Sequence, residues 1–287
     1  MKINRISPLK HNYLQIIGTI AKAPEKLYFI GELPKERTTT VAIVGTRKPT
    51  AYGKEVTYKI AYDLAKRGVV IVSGLALGVD AIAHKAALDA GGTTIAVLAN
   101  GVDTVYPASN KQLADRILSS GGAILSEYPP GTSPRDYQFL ARNRIVSGLS
   151  EMVLVTEAAA RSGTLATVAH ALDQGKEVGV IPGNINSPMS AGCNSLLKQG
   201  AHAICSEDDV LSILNIENND LESQIVLPLG SNELENKIIG LINNGMRDGE
   251  EIRIELKIAS SEFHQTISML EINGVVRPLG NDKWTLS

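Results

Sequence analysis

Between residues 41 and 183 the chain alternates two textures. Short runs that are apolar at nearly every position, VAIVG (41–45), GVVIVSG (68–74), TTIAVLANG (93–101), GAILSEY (122–128), EMVLVTEA (151–158) and EVGVIPG (177–183), lead into loops rich in glycine and small residues. Between and after them lie Ala/Leu-rich stretches with helical spacing, roughly 51–67, 78–90, 109–120, 139–147, 162–174 and 191–199. A strand that is apolar on both faces has to be covered on both faces, and strands that alternate with helices are joined by crossovers. The pattern predicts an α/β fold, a doubly wound parallel sheet over 41–215 whose ligand lies beyond the C-terminal strand ends. Residues 1–40 are too short for a domain of their own and read as an N-terminal extension.

The rhythm stops near NIENNDLESQIVLPLG (215–230), where Asn, Asp, Glu and Ser replace the apolar periodicity and predict a linker over 216–228. A different pattern occupies 229–287. NELENKIIGLINNG predicts a helix with Leu234, Ile238 and Leu241 on one face and Gly245 as its stop. GEEIRIELKIA predicts a second short helix, SSEFHQTISMLEING a third with Ser261 as N-cap, and VVRPLGNDKWTL a hairpin turning at Gly280-Asn281-Asp282. Three helices and a terminal hairpin have the order of a winged helix.

Composition narrows the classes. At 287 residues and 44% hydrophobic, the chain has enough apolar surface for a large core. No apolar run approaches the ~18 residues that span a bilayer, and the start MKINRISPLKHNYLQ lacks the apolar core of a secretion signal, so the expected location is the cytoplasm. Cys193 and Cys205 are too few for a disulfide framework and have no metal-ligand companions, so neither a zinc nor any other cofactor is expected. The net charge of -2 hides an uneven distribution: residues 1–215 carry a net of +4, residues 229–287 a net of -3. The two ends are built for different partners.

Four loops at predicted strand ends carry candidate chemistry. The first reads Gly45-Thr46-Arg47-Lys48, where a G-x-G-x-x-G loop would leave bare backbone for a pyrophosphate. Two long cations at such a mouth suit a phosphate, Arg through a bidentate contact, although a solvated turn would read the same way. In the second, SGLALGVD, Gly74 and Gly78 open a helix whose free amides would attract an anion; His84, further along, reads as a packing residue rather than a catalyst. The third, FLARNRIVSGLS, sets Phe139 among Arg142, Asn143 and Arg144. An aromatic among arginines holds single-stranded nucleic acid, the ring on a base and the guanidiniums on phosphates, while a core ring with ion-paired arginines is the plainer alternative. In the fourth, Ser162, Gly163 and Thr164 begin a helix with hydroxyls and amides, either toward a ligand or as a simple cap.

Taken in order, VAIVGTRKPTAYG, VVIVSGLALGVDAIAHKAAL, AVLANGVDTVYPASNKQL, GAILSEYPPGTSP, FLARNRIVSGLS, VLVTEAAARSGTLATVAHAL and VGVIPGNINSPMSAGCNSLLKQGA resemble the DNA-processing protein A (DprA/Smf) family over about residues 25–215. The resemblance implies a Rossmann-like domain that binds incoming single-stranded DNA in natural transformation (competence) and homologous recombination, protects it, and loads the RecA recombinase. It implies a homodimer formed through that domain, often with a C-terminal winged helix, and no enzymatic activity. It places the strand pocket at Gly45, Thr46, Arg47, Lys48, Gly74, Phe139, Arg142, Asn143, Arg144, Ser162, Gly163 and Thr164. The N-terminal helical domain of many members is expected to be missing. A second resemblance, to the nucleotide phosphoribohydrolases related to the cytokinin-activating LOG proteins, implies an enzyme instead. Those proteins carry P-G-G-x-G-T-x-x-E at the corresponding helix start, where this chain has ARSGTLAT and Thr167 in place of the carboxylate. Without it, cleavage of an N-glycosidic bond has no evident acid or base.

Overall fold

The computed structural model describes residues 2–216, 232–243, 246–280 and 282–286. Apart from Ile216, the expected linker over 216–228 lies outside the described residues. The chain divides into two compact units, Met1–Glu217 and Asn218–Ser287.

In the first unit the elements run β1 (Asn4–Ile6), β2 (Leu27–Gly31), β3 (Thr40–Val44), α1 (Ala51–Lys66), β4 (Val70–Ser73), α2 (Val79–Asp89), β5 (Thr94–Leu98), α3 (Lys111–Ser119), β6 (Ala123–Ser126), α4 (Asp136–Gly148), β7 (Met152–Val155), α5 (Thr164–Asp173), β8 (Glu177–Val180), α6 (Ala191–Lys198), β9 (His202–Ala203) and α7 (Glu207–Ile213). The nine strands form one sheet in the order β1-β2-β6-β5-β4-β3-β7-β8-β9. From β6 to β9 every pairing is parallel. The Rossmann-like doubly wound sheet expected from the continuous apolar runs is therefore present, and the chain reverses direction across it between β3 and β7. That reversal opens a crevice at the C-terminal ends of those two strands.

Alternate residues of each strand feed opposite cores. Ala42, Val44, Val72, Val97, Val153 and Val155 pack with Ile145, Val146, Val168 and Cys193 on one face. Val41, Ile43, Ile71, Met152 and Leu154 pack with Ile60, Leu64, Ala83 and Val210 on the other. Residues 1–40 are more than an appendage. Strand β2 pairs antiparallel with β6, registering Tyr28 with Ser126 and Ile30 with Ile124, and β1 adds an edge strand beyond it. Tyr13 is fully buried, its hydroxyl 3.0 Å from Thr40 Oγ1, and burial pushes its pKa up to about 12. The Arg37 guanidinium lies 5.0 Å over the Tyr13 ring and bridges to Glu151. These two strands escape the sequence pattern because β1 has only three residues and β2 is buried only in part, with no α-helix following either in the chain before β3.

The second unit holds α8 (Glu233–Asn243), α9 (Gly249–Leu256), α10 (Ser260–Ile272), β10 (Val276–Gly280) and β11 (Lys283–Leu286). Three helices and a two-stranded hairpin thus follow in the order expected. Their core centres on Ile238, Ile239, Ile242, Ile252, Phe263, Leu270 and Trp284. The buried face of α8 is rotated from the expected one: Ile239 and Ile242 face inward with Ile238, and Leu234 and Leu241 flank them half-buried. Helix α10 starts at Ser260, capped by Ala259 without a side-chain bond, so Ser261 is not the N-cap. Gly245 and Asn281, expected as helix stop and turn residue, lie outside the described residues.

Candidate functional site

Three helices, α1, α2 and α5, begin at the crevice, each presenting backbone N–H groups that its own turns leave unpaired. Their fates differ. At α1 the N-cap Thr50 accepts from Gly53 N at 3.1 Å, while the buried Glu157 carboxylate accepts from Thr50 N at 2.8 Å and from the Thr50 hydroxyl at 2.7 Å. A Cβ on Gly53 would lie 2.3 Å from Glu157 Oε2, so the carboxylate fills the place where a dinucleotide pyrophosphate would rest. At α2 the buried Asp80 carboxylate accepts from Gly74 N at 3.0 Å and Ala76 N at 3.3 Å. Gly78 has φ +79°, and a Cβ there would meet Thr46 O at 2.4 Å, so the helix start is pressed against the first loop. Val79 N donates to that same oxygen at 3.1 Å. The Gly74 amide of the expected anion site is thus taken by the chain's own acid, because Asp80 folds back over the loop before its helix.

At helix α5 the first-turn amides are paired locally, Leu165 N with Ser162 O at 3.1 Å and Ala166 N with Gly163 O at 3.2 Å. Ser162 Oγ accepts from Thr164 N at 3.2 Å and donates to Thr164 Oγ1 at 3.0 Å, which leaves the Thr164 hydroxyl hydrogen for another acceptor. The exposed Gly163 N–H carries no protein hydrogen bond among the described residues. This helix start faces a cavity of about 290 Å³ lined by Gly45, Thr46, Arg47, Phe139, Arg142, Asn143, Ser162, Gly163 and Thr164, together with Asp80 and Thr167.

Arg142 forms the floor. It is 6% exposed, and Nη1 donates to Gly74 O at 2.7 Å and also to Val97 O. A Cβ on residue 74 would lie 2.2 Å from Nη1, so only glycine leaves room for this guanidinium. Burial pushes the Arg142 pKa down, and the Asp80 charge opposes that fall; burial likewise pushes Asp80 up, against the pull of Arg142. The Arg142 Nε donates to Asn143 Oδ1 at 3.3 Å, tying that amide into the cavity wall. Arg47, exposed at the mouth, sets its guanidinium 5.8 Å over the Phe139 ring, whose centroid lies 5.7 Å from that of Tyr106. His84 lies behind the floor, fully buried, with Nδ1 2.7 Å from Thr94 Oγ1 and its pKa lowered to about 3 by desolvation and then by Arg142.

Nine of the twelve residues singled out in the sequence therefore line one cavity. Gly74 supports it from behind. Lys48 is exposed outside it, with its backbone N donating to Thr46 Oγ1 at 3.2 Å. Arg144 is a correction: two residues along α4 it points about 200° away from Arg142, bonding Glu127 at 2.6 Å and Lys22 O at 3.1 Å. Sequence reading missed Asp80 and Glu157, because an acid at an anion-binding edge looks misplaced until its backbone partners are seen. It also passed over Tyr106 in a loop. Among the described residues no group of His, Cys, Asp and Glu is placed to hold a metal, and no helix is long and apolar enough to cross a membrane.

The family model of DNA recombination-mediator protein A matches residues 4–215, the whole sheet and the cavity. The chain belongs to that family. It is 46% identical to protein Smf of Escherichia coli over 191 residues, covering 67% of this chain and 51% of that one. With the DNA processing protein DprA of Bacillus subtilis the identity is 41% over 213 residues, 74% of this chain and 71% of its relative. This member of the family thus spans about half the length of its E. coli relative and more of the B. subtilis one. Among solved structures, the DNA processing protein A of Streptococcus pneumoniae superposes with a TM-score of 0.69 at 42% identity, over 74% of each chain. That of Helicobacter pylori, studied for its mode of binding single-stranded DNA, gives 0.65 at 35% identity over 75% of this chain and 96% of that one.

Proposed function

We propose that the cavity at the β3–β7 crevice holds the sugar-phosphate backbone of single-stranded DNA, and that the protein acts in recombination by shielding that strand and passing it to a RecA-type recombinase. The observation that carries the reading is the grouping, around the uncharged start of α5, of Arg47, Arg142 and a half-buried aromatic. A phosphate fits there: Gly163 N–H and the Thr164 hydroxyl supply donors, the α5 dipole favours negative charge, and the two guanidiniums supply the countercharge. The Glu157 carboxylate beside the start of α1 would repel a pyrophosphate there, which favours a strand over a dinucleotide. The likeness to the H. pylori protein supports the same ligand. The description of the family as a recombination mediator supports the hand-over to recombinase; a cytoplasmic homodimer is part of the same proposal.

The reading is one of binding, not catalysis. Thr167 stands where the phosphoribohydrolase signature puts its carboxylate, and the carboxylate of Asp80 spends one oxygen on two backbone amides. Fluorescence anisotropy of labelled oligo-deoxythymidine is the test. Arg47→Ala should weaken binding by about 1.5–3 kcal/mol, the range for a hydrogen bond to a charged group. It should also reduce the logarithmic salt slope by about 0.7, for one lost phosphate contact. Arg67→Ala, which removes ion pairs to Glu207 and Asp208 at the far end of α1, should change neither. Equal behaviour of the two variants would sink the assignment of Arg47.

A further inference from the structure

Phe139 is not the most available ring at the cavity. Arg47 rests on it from one side at 5.8 Å and Tyr106 meets it at 5.7 Å with planes tilted by 54°, so two neighbours already compete for its surface. Tyr106 is 48% exposed, and its hydroxyl carries no hydrogen bond among the described residues. The loop that carries it is firmly held. Asn110 Nδ2 donates to Leu75 O at 2.9 Å and Ala76 O at 3.2 Å, joining this loop to the one that lines the cavity, and Asn100 Nδ2 donates to Thr104 O at 2.6 Å. A large aromatic ring, fixed, half in water and backed by a second ring beside a cationic cavity, has its ordering cost met before any ligand arrives.

We propose that Tyr106 extends the strand site beyond the cavity, as a stacking surface for the base of the nucleotide next to the one whose phosphate the cavity holds. The inference rests on the reading of the cavity as a single-strand site. A cavity of about 290 Å³ has room for little more than one nucleotide, so a longer strand has to leave across the rim, and the aromatic part of that rim is Tyr106 beside Phe139. Stacking on a π-face serves any base, which suits a protein that takes strands of arbitrary sequence. Phe139 then acts as the backing that keeps the Tyr106 ring upright, and Arg47 is poised between ring and phosphate.

The experiment compares two ligands of equal length and charge, oligo-deoxythymidine and an abasic tetrahydrofuran oligomer, against the full chain. Phosphate contacts contribute to both, stacking only to the first. Tyr106→Ala should lose about fivefold or more in affinity for oligo-deoxythymidine, the lower end of what one stacked base contributes, and keep its affinity for the abasic oligomer. Tyr106→Phe should restore the wild-type ratio between the ligands, because the ring and not the hydroxyl stacks. Arg47→Ala should weaken both ligands alike. An unchanged ratio in Tyr106→Ala, with Arg47→Ala still impaired, overturns the role of Tyr106 and leaves the cavity reading intact. A wild-type protein that binds neither ligand overturns both. Thermal melts of each variant identify a loss of fold: Tyr106→Ala unfolded at assay temperature while Tyr106→Phe keeps a wild-type ratio supports the ring, and a folded Tyr106→Phe with the ratio abolished refutes it.

Discussion

Helices α1 and α2 begin at the same edge of the sheet as α5, yet the charge beside their starts differs. Glu157 stands at the first, accepting from the N–H and hydroxyl of the N-cap Thr50, and Asp80 at the second, accepting from Gly74 N and Ala76 N in the loop before it. At α5 the corresponding groups are Ser162 and Thr164, neutral and small, and the N–H of the N-cap Gly163 carries no protein hydrogen bond among the described residues. A doubly wound sheet offers several anion places at its switch point by construction. In this chain carboxylates stand beside two of them, so ligand choice is decided as much by the acids at α1 and α2 as by their absence at α5. Asp80 also organises the α5 site, since it both anchors the α2 loop and supplies the countercharge that makes a buried Arg142 tolerable.

The largest expected effect comes from breaking that last coupling. Arg142→Ala leaves the Asp80 carboxylate buried without its positive neighbour and empties the cavity floor, and removal of one partner of a buried charge pair costs about 3–5 kcal/mol. Its urea midpoint should fall accordingly, and strand binding should fall with it. Adding Asp80→Asn, which removes the stranded charge, should recover part of the stability but none of the binding. Recovery of neither would mean that the two groups are not energetically coupled. Smaller is the effect of removing the acid at α1. Glu157→Ala deprives Thr50 of two hydrogen bonds near the start of α1 and should cost about 1–3 kcal/mol of stability. Because Glu157 faces α1 and not the α5 cavity, the salt slope for strand binding in the folded variant should stay that of the wild type. A steeper slope would show that an extra phosphate has entered at α1, so that the carboxylate, and not the cavity, sets the boundary of the site.

Much of this organisation was legible in the sequence, and what was not has a common cause. Six of the seven parallel strands showed themselves because a strand buried on both faces has to be apolar at nearly every position, as VAIV at β3 and MVLV at β7 are. Nine cavity residues were legible for a related reason: the fold alone brings the ends of its strands together. Arg142 and Arg144 could not be separated by type, since both are arginines on one helix; their roles diverge because one meets the carbonyls of Gly74 and Val97 and the other meets Glu127. Asp80 and Glu157 were hidden by the same limitation. An acidic residue stands at a helix start only if the chain returns it there, and that is a fact about tertiary partners 107 residues apart in the case of Thr50 and Glu157. Strand β1 has only three residues, and β2, although as long as β3, buries its residues only in part and so shows no continuous apolar run.

The second unit extends the comparison to its weakest expected effect. Two of its three helix starts are capped by side chains, Asp248 accepting from Glu250 N and Glu251 N at the start of α9 and Asn232 accepting from Glu235 N near the start of α8, while α10 has no side-chain cap but an acid, Glu262, in its first turn. Were this unit to bind duplex DNA as a winged helix, α10 would be its recognition helix, yet α10 carries Glu262 and Glu271 but no Lys or Arg, and the hairpin adds only Arg277 and Lys283 against a net charge of -3 for residues 229–287. Phosphate neutralisation needs cations on that helix or its wing, so duplex affinity should be poor. What this unit does expose is apolar, Ile254, Met269 and Ile272 among acids, a surface suited to protein contact. A chain ending near residue 220 retains the whole cavity and both cores of the sheet, and should bind oligo-deoxythymidine within a few-fold of the full-length protein in anisotropy titrations at matched salt. A loss of tenfold or more, about 1.4 kcal/mol, would show instead that the second unit clamps the strand beside the cavity despite its net negative charge.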